Sequence, residues 1–179
     1  MGLIAGDEAV TGICLSRACQ GSADSLSMEV METTREVVIL IAEDDAGHAR
    51  LIEKNLTRAG LRNPIERFDN GQAVLDFLFR RGTGLHRTDT TPYLLLLDIR
   101  MPQVDGVEVL RQVKQDAELR KIPVIMLSTT DDPREVERCH ANGCASYIVK
   151  PVDYDKFAEA IKSLGLYISL VQVPGISGK

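Results

Sequence analysis

The chain has 179 residues and a formal net charge of −5 at pH 7, and 44% of its residues are hydrophobic but only 4% are aromatic. This length fits one domain with some chain to spare, and the negative charge argues against a nucleic-acid-binding protein. No apolar run reaches the roughly 18 residues of a membrane span, and the first residues lack the pattern of a signal peptide. We therefore expect a cytoplasmic protein that binds neither nucleic acid nor a membrane.

The composition changes along the chain and predicts one domain between two tails. Residues 1–35 are rich in Gly, Ala, Ser and Thr and have no sustained hydrophobic period, which is typical of a tail. From residue 36 to 171, short apolar runs alternate with amphipathic segments. The last residues, 172–179, are expected to form a short C-terminal tail.

Five short apolar runs predict five β-strands. They occupy residues 37–44, 64–69, 93–99, 123–129 and 145–150. Four of them are nearly continuous in apolar residues, as expected of parallel strands covered on both faces. The segments between them have helical spacing, and Gly60 and Gly143 stand where helices are expected to stop. The alternation predicts an α/β fold with a parallel sheet and right-handed crossovers.

Charged and hydroxylic residues stand where four of these strands end. They are Glu43 and Asp44, Asp98, Ser128 and Lys150. The carboxyl ends of parallel strands lie along one edge of the sheet, so these side chains are expected to converge on one site. Several carboxylates close together need a cation to remain ionised. An all-oxygen set favours Mg²⁺ over zinc.

The lysine and the hydroxyl of this site call for an anion, and a phosphoryl group is the natural candidate. Asp98 would be the nucleophile, because a carboxylate can form an aspartyl-phosphate. At these same places the sequence resembles the receiver domains of bacterial two-component response regulators. The matching motifs are the Glu43–Asp44 pair, "LDIRMPQVDG", "MLST" and "SYIVKP". The resemblance covers about residues 36–165 and implies a flavodoxin-like, doubly wound (βα)5 fold with strand order 2-1-3-4-5.

The resemblance also implies roles for individual residues around the metal. Asp98 corresponds to the phosphoacceptor. Asp44, Asp98 and the backbone carbonyl of Arg100 correspond to the Mg²⁺ ligands, and Glu43 would act through water or by orienting a ligand.

Four further residues correspond to those that bind and sense the phosphoryl group. Lys150 corresponds to the lysine that neutralises its charge, and Pro151 to a proline with a cis peptide bond. Ser128 corresponds to the hydroxyl that binds a phosphoryl oxygen. Tyr147 corresponds to an aromatic residue that changes position as the domain switches.

The implied function is that of a phosphoacceptor response regulator, which supports only its own phosphorylation and autodephosphorylation and is not otherwise an enzyme. A histidine kinase or a histidine phosphotransfer protein would donate the phosphoryl group. The long segment 80–92 resembles single-domain regulators that serve phytochrome-type or hybrid histidine kinases. Only "VQVPGISGK" follows the last predicted helix, so we expect the output to be a protein–protein interaction.

Two other functions use similar residues. A Mg²⁺-dependent aspartyl-phosphate phosphatase of the haloacid dehalogenase type would need a second aspartate two residues after the nucleophile, where this chain has Arg100. A mononucleotide binder such as a flavodoxin would need a hydroxyl- and glycine-rich loop after the first strand. The segment "EDDAGHA" found there would repel phosphate unless a metal intervened.

The histidines and cysteines predict no second site. His48, His86 and His140 do not end a predicted strand, and we interpret them as surface residues. Cys139 and Cys144 flank His140, but four ligands at zinc spacing are absent, which favours buried thiols or thiols without a role.

The final helix predicts an interaction surface. Phe157, Ile161, Leu164, Ile168 and Val171 form one helical stripe that would face the core. On other faces of the same helix lie three large side chains that a monomer would expose: Leu166, Tyr167 and Leu170. We therefore expect homodimerisation or partner docking through this helix. The alternative is that Gly165 ends the helix and the chain continues in an extended form.

Overall fold

The computed structural model describes residues 36–170 and 172–176, with the side chain of Tyr154 excepted. The tail predicted for residues 1–35 lies outside the described residues. The strands are β1 Val38–Ala42, β2 Ile65–Phe68, β3 Tyr93–Asp98, β4 Val124–Ser128 and β5 Ser146–Val149. The helices are α1 Ala46–Arg58, α2 Gly71–Phe79, α3 Gly106–Gln115, α4 Pro133–Ala141 and α5 Tyr154–Leu170, with one 3₁₀ turn at Leu119–Lys121.

The five strands form one parallel sheet in the order β2-β1-β3-β4-β5. This order is the one expected for the doubly wound fold, and the predicted strands are confirmed to within two residues at each end. Because neighbouring residues of a strand face opposite sides, the leucine run of β3 is divided between two cores. Leu95 and Leu97 pack with α2, α3 and α4, whereas Leu94 and Leu96 pack with α1 and α5. A continuous apolar run is therefore what a strand buried on both faces requires.

Side-chain caps and glycines delimit the helices. Asp45, Asn70, Asp105 and Asp132 are N-caps that accept hydrogen bonds from backbone amides of the first turns of α1, α2, α3 and α4. Gly60 and Gly143, which we predicted to stop helices, have φ of 93° and 87° just beyond α1 and α4. This left-handed conformation is accessible to glycine without strain.

Helix α5 is continuous through Gly165 and ends at Leu170, so the alternative in which Gly165 ends the helix is wrong. The glycine is needed for packing: a Cβ at this position would lie 2.7 Å from Cβ of Ala59 and 3.0 Å from Cδ1 of Leu61. The predicted core stripe is confirmed for Phe157, Ile161, Leu164 and Ile168, all of which are buried. Val171 lies outside the described residues.

The structure has two local features that the sequence analysis did not predict: a trans peptide bond before Pro151 and the packing of residues 172–176. The described part of the chain contains no cis peptide bond, so the cis bond expected before Pro151 is wrong for this structure; the trans form is favoured at X–Pro bonds by about 0.5–1 kcal/mol. The segment 172–176 lies beside the loop that precedes β3. The carbonyl of Ile176 accepts a hydrogen bond of 2.7 Å from the amide of Thr90, and the Ile176 side chain is buried in the core.

Candidate functional site

Lys150 joins two buried carboxylates at the carboxyl edge of the sheet. Its Nζ donates to Oε2 of Glu43 at 2.5 Å and to Oδ1 of Asp98 at 2.6 Å. Glu43 follows β1, Asp98 ends β3 and Lys150 follows β5, and none of the three is more than 6% exposed. Buried charges are stable only when paired. One ammonium between two carboxylates leaves this part of the site with a formal charge of −1.

The orientation of Asp98 is set by the loop between β3 and α3. Its Oδ2 accepts a hydrogen bond of 2.9 Å from the backbone amide of Arg100, so both carboxylate oxygens have a partner. Gly106, the first residue of α3, passes directly over the end of the strand, where a Cβ would lie 2.0 Å from the carbonyl oxygen of Asp98. The loop can close this tightly over Asp98 only because residue 106 has no side chain.

Asp44 completes an acidic triad with Glu43 and Asp98. One carboxylate oxygen from each lies within 4.8 Å of the others, and Asp44 is exposed while the other two are buried. With Lys150, the formal charge of the group is −2, which a divalent cation would balance. Hard oxygen ligands of this kind fit Mg²⁺, and the open side at Asp44 gives the ion access from solvent. The acidic triad offers ligands for such an ion, and ligation by the backbone carbonyl of Arg100 stays a prediction.

The carboxyl group of Glu43 is perturbed by burial and by neighbouring charges. Burial raises the pKa of its carboxyl group, and the hydrogen bond and charge of Lys150 partly oppose this effect. Its second oxygen, Oε1, lies 3.2 Å from Nδ1 of His48. The imidazole in turn contacts the ring of Phe157 on α5 edge-on, with ring centroids 6.2 Å apart. His48 is a surface residue, as predicted, since its side chain is 46% exposed, but its contact with Glu43 was not predicted.

The predicted switch residues meet a third side chain that the sequence analysis missed. Ser128 Oγ and Tyr147 OH lie 3.1 and 3.0 Å from the same atom, Oε1 of Glu135. The other oxygen, Oε2, lies 3.1 Å from a guanidinium nitrogen of Arg100. Ser128 ends β4 and Tyr147 lies on β5, so Glu135 connects two strands and the loop after β3 to α4. We call these four residues the Glu135 cluster.

The structure thus places the predicted site residues in two adjoining groups. Glu43, Asp44 and Asp98 lie together with Lys150. Ser128 and Tyr147 lie in the Glu135 cluster instead, and Arg100 connects the two groups: its backbone amide binds Asp98 and its side chain binds Glu135.

Cys139 and Cys144, the two cysteines in the described part of the chain, belong to no group of three candidate metal ligands. Cys139 and Cys144 are free and buried, and Sγ of Cys144 lies 3.5 Å from Nδ1 of His140. Burial raises the pKa of Cys139 to about 11, so this sulfur is a neutral thiol near pH 7. Within the described residues, the acidic triad is the only group of three or more candidate ligands close enough to share one ion.

None of the helices in the described part of the chain is long and apolar enough to cross a membrane.

Comparison with known proteins gives one consistent family. The model of the response regulator receiver domain matches residues 39–162. The chain is 37% identical over 125 residues to the polar-differentiation response regulator DivK of Brucella anthropi, a match that covers 70% of this chain and 93% of DivK.

Solved structures similar to this chain include a receiver domain and a response regulator. The response regulator receiver domain from Rhodospirillum rubrum is 45% identical with a TM-score of 0.74, and the match covers 79% of this chain and 99% of that one. The bacteriophytochrome response regulator RtBRR is 34% identical with a TM-score of 0.61, covering 78% of this chain and 84% of that one.

Proposed function

The chain belongs to the family of response regulator receiver domains, which are phosphoacceptors of two-component signalling, and we propose that Asp98 is its phosphoacceptor. The observation that carries this proposal is the position of the Asp98 carboxylate, 2.6 Å from Nζ of Lys150 and within the acidic triad. An attacking carboxylate and an incoming phosphoryl group repel each other. A site for phosphoryl transfer therefore needs positive charge at the nucleophile, and Lys150 supplies it.

In the proposed reaction, a carboxylate oxygen of Asp98 attacks the phosphorus of a phosphohistidine. The new O–P bond forms as the N–P bond breaks, and the electron pair of the broken bond returns to the imidazole nitrogen. Arg100 and Lys150 hold the carboxylate in place through its two oxygens, so little orientation entropy is lost at the moment of attack. A bound Mg²⁺ would supply further positive charge to the phosphoryl oxygens.

The donor is proposed to be a histidine kinase or a histidine phosphotransfer protein. A cleft of about 360 Å³ opens beside the site between the β1–α1 and β2–α2 connections, and Asp44, Arg67 and Asp69 are among the residues that line it. It offers a path along which a donor side chain can approach the acidic triad. The likeness to RtBRR, a bacteriophytochrome response regulator, supports a kinase of the phytochrome type.

We further propose that the domain acts on no substrate other than its own aspartyl-phosphate. The competing phosphatase function has no support, because the position where that class needs a second aspartate is occupied by Arg100. An arginine side chain does not exchange its proton near neutral pH and therefore cannot replace the acid and base of that reaction.

Self-association through α5 is proposed as the form in which the domain works. Leu166, Tyr167 and Leu170 are 55%, 56% and 84% exposed on the continuous helix. An open groove of about 450 Å³ runs beside them, lined in part by Ile148 and Ala160. Large apolar side chains clustered on one surface favour association, and the same helix of a second copy presents a matching apolar surface.

The proposed compartment is the cytoplasm, because Cys139 and Cys144 are both free thiols. Free thiols are typical of proteins kept in a reducing compartment.

The phosphoacceptor is tested with the full chain, phosphoramidate and Mg²⁺, followed by measurement of the intact mass. We expect one added phosphoryl group on the unmodified protein, none on Asp98→Asn, and none when EDTA replaces Mg²⁺. Asp69→Asn is the matched control, because Asp69 lines the adjoining cleft but is not part of the acidic triad; this variant should be labelled normally. Labelling of Asp98→Asn to the level of the unmodified protein would disprove the assignment.

A further inference from the structure

Glu135 lies at a position where a glutamate side chain usually accepts a hydrogen bond from the backbone at the start of its own helix. It is the third residue of α4, three residues after the N-cap Asp132, which is the spacing of a capping box. In a capping box the glutamate would accept a hydrogen bond from the backbone amide of Asp132. Here that amide donates to Oγ1 of Thr130 instead, at 3.1 Å.

The groups that contact the Glu135 carboxylate lie outside α4. Oε1 accepts from the Ser128 hydroxyl and lies within hydrogen-bond distance of the Tyr147 hydroxyl, and Oε2 accepts from Arg100. The side chain is only 16% exposed, so these contacts replace most of its water. Hydrogen bonds to a charged acceptor are about twice as strong as those between neutral groups.

The hydrogen bond from Ser128 decides what this hydroxyl can do. A hydroxyl carries one proton, and in this structure the proton is donated to Glu135 at 3.1 Å. Ser128 is fully buried, so no water can take over that interaction. The hydroxyl must leave Glu135 before it can donate to a phosphoryl oxygen on Asp98.

Tyr147 is held in the same way. Its hydroxyl lies 3.0 Å from both Oε1 of Glu135 and the carbonyl oxygen of Thr130. Burial raises the pKa of Tyr147 to about 12; the hydrogen bond to Glu135 and the charge of Glu135 act in the same direction, whereas Ser128 acts in the opposite one. The phenol therefore remains a donor throughout the physiological pH range.

We infer that Glu135 is a positioning residue that stabilises the unphosphorylated state by competing with the phosphoryl group for the Ser128 hydroxyl. This inference rests on the proposed phosphorylation of Asp98. When the hydroxyl turns towards Asp98, Glu135 loses one of its donors at the first turn of α4 and keeps Tyr147 and Arg100 as partners. A ligand shifts a two-state equilibrium only by its different affinity for the two states, and the Glu135 cluster is where the states differ.

The test uses beryllofluoride with Mg²⁺ as a mimic of the phosphoryl group, and its affinity for the full chain is measured by calorimetry. Glu135→Ala should raise this affinity about threefold to tenfold, the equivalent of one net hydrogen bond that no longer has to be broken. Glu135→Gln should give a smaller increase, because the amide oxygen still accepts while the charge is lost. Glu137→Ala is the matched control: it removes the same charge from an exposed residue of the same helix, and its affinity should stay within about twofold of the unmodified protein.

A double-mutant cycle distinguishes competition for Ser128 from a general structural effect. In the Ser128→Ala background the hydroxyl is absent, and Glu135→Ala should then leave beryllofluoride affinity unchanged. If Glu135→Ala does not fold, the same cycle with Glu135→Gln decides. Unchanged or reduced affinity in the folded single variant, or an increase that persists without Ser128, overturns the inference. If the unmodified protein takes up neither beryllofluoride nor a phosphoryl group, the proposed function has failed instead.

Discussion

Nζ of Lys150 lies 2.6 Å from Oδ1 of Asp98, although the two residues are 52 positions apart in the chain. The contact exists because β3 and β5 run parallel in the sheet, separated only by β4, and both end at its carboxyl edge. It joins the proposed nucleophile to the cation that would stabilise its phosphorylated form. The same ammonium also neutralises Glu43, so the resting site depends on it as well.

Replacement of Lys150 by methionine should therefore destabilise the fold. Removing one partner of a buried ion pair leaves uncompensated charge and typically costs several kcal/mol; we expect a loss of about 3 kcal/mol in the free energy of unfolding at neutral pH. Mg²⁺ should recover part of this loss, because it binds only the folded state and the site has become more negative. Urea unfolding with EDTA and then with Mg²⁺ measures both effects.

The control for this variant is Lys162→Met, which removes the same charge from an exposed position of α5. Its unfolding free energy should change by less than about 0.5 kcal/mol. Equal stabilities for the two methionine variants would show that Lys150 does not compensate buried charge.

Asp44 should contribute to Mg²⁺ binding through its carboxylate and not only through its charge. Asp44→Asn is expected to weaken Mg²⁺ binding at least about tenfold, or roughly 1.4 kcal/mol, because it removes one of three close carboxylates. Asp45→Asn removes the same charge from the next residue, and asparagine can still cap α1. Calorimetric titration should give this control an affinity within about threefold of the unmodified protein. Similar losses in both variants would contradict ligation by Asp44.

The free energy of unfolding should depend on pH because Glu43 titrates at a different pH in the folded and unfolded states. Burial raises its pKa above the ordinary value of 4.5, so between that value and the raised pKa the folded state holds more protons than the unfolded state. Stability then falls as pH rises through this window. Glu43→Gln lacks the titration, and in EDTA the difference in unfolding free energy between the unmodified protein and this variant should decrease as pH rises from 4.5. A difference that grows with pH would mean that the pKa is lowered.

The sheet was predictable because its strands are buried on both faces. The run Leu94–Leu97 has no period of two, and the structure explains this: its members alternate between two cores, both of which need apolar side chains. The polar residues at the strand ends then located one edge of the sheet before any distances were known. The sequence favours continuation of α5 past Gly165 but does not exclude a stop there, because a glycine that ends a helix and one that permits close helix packing are identical in sequence.

The Glu135 cluster could not be predicted from local patterns. Asp132 and Glu135 have the spacing of a capping box, and that local explanation needs no tertiary contact. Only the positions of β4 and β5 relative to α4 bring the carboxylate to Ser128 and Tyr147. His48 was missed for a similar reason: it lies on an exposed helix turn, and its contact with Glu43 depends on how α1 follows β1.

A methyl group added at residue 106 should displace the backbone around Asp98 while every side chain of the site stays the same. In Gly106→Ala the new Cβ would meet the carbonyl oxygen of Asp98 at 2.0 Å, so the β3–α3 loop must move. We expect a loss of about 1–3 kcal/mol in unfolding free energy and slower phosphorylation by phosphoramidate. Gly84→Ala is the control, because nothing lies within 4 Å of its Cβ and its stability should change by less than about 0.5 kcal/mol. Normal phosphorylation of Gly106→Ala would show that the loop does not orient Asp98.

The exposed face of α5 should determine the oligomeric state of the protein. Phe157, Ile161 and the rest of the core stripe hold the helix on the domain, so Leu166, Tyr167 and Leu170 contribute little to folding in one copy. They are free to be buried by a second copy. Substitutions there should change association and leave stability and phosphorylation intact.

Leu166→Glu combined with Leu170→Glu should give a folded monomer, because each charge would have to be buried in an apolar interface without a partner. Sedimentation at high micromolar concentration, with and without phosphoramidate, should show a dimer for the unmodified protein and a monomer for the double variant. The control adds the same two charges at exposed polar positions of other helices, Thr57→Glu with Gln115→Glu, and should remain dimeric. Both variants should accept a phosphoryl group on Asp98, which lies at the carboxyl edge of the sheet and not on the exposed face of α5. A monomeric unmodified protein under both conditions would disprove self-association through α5.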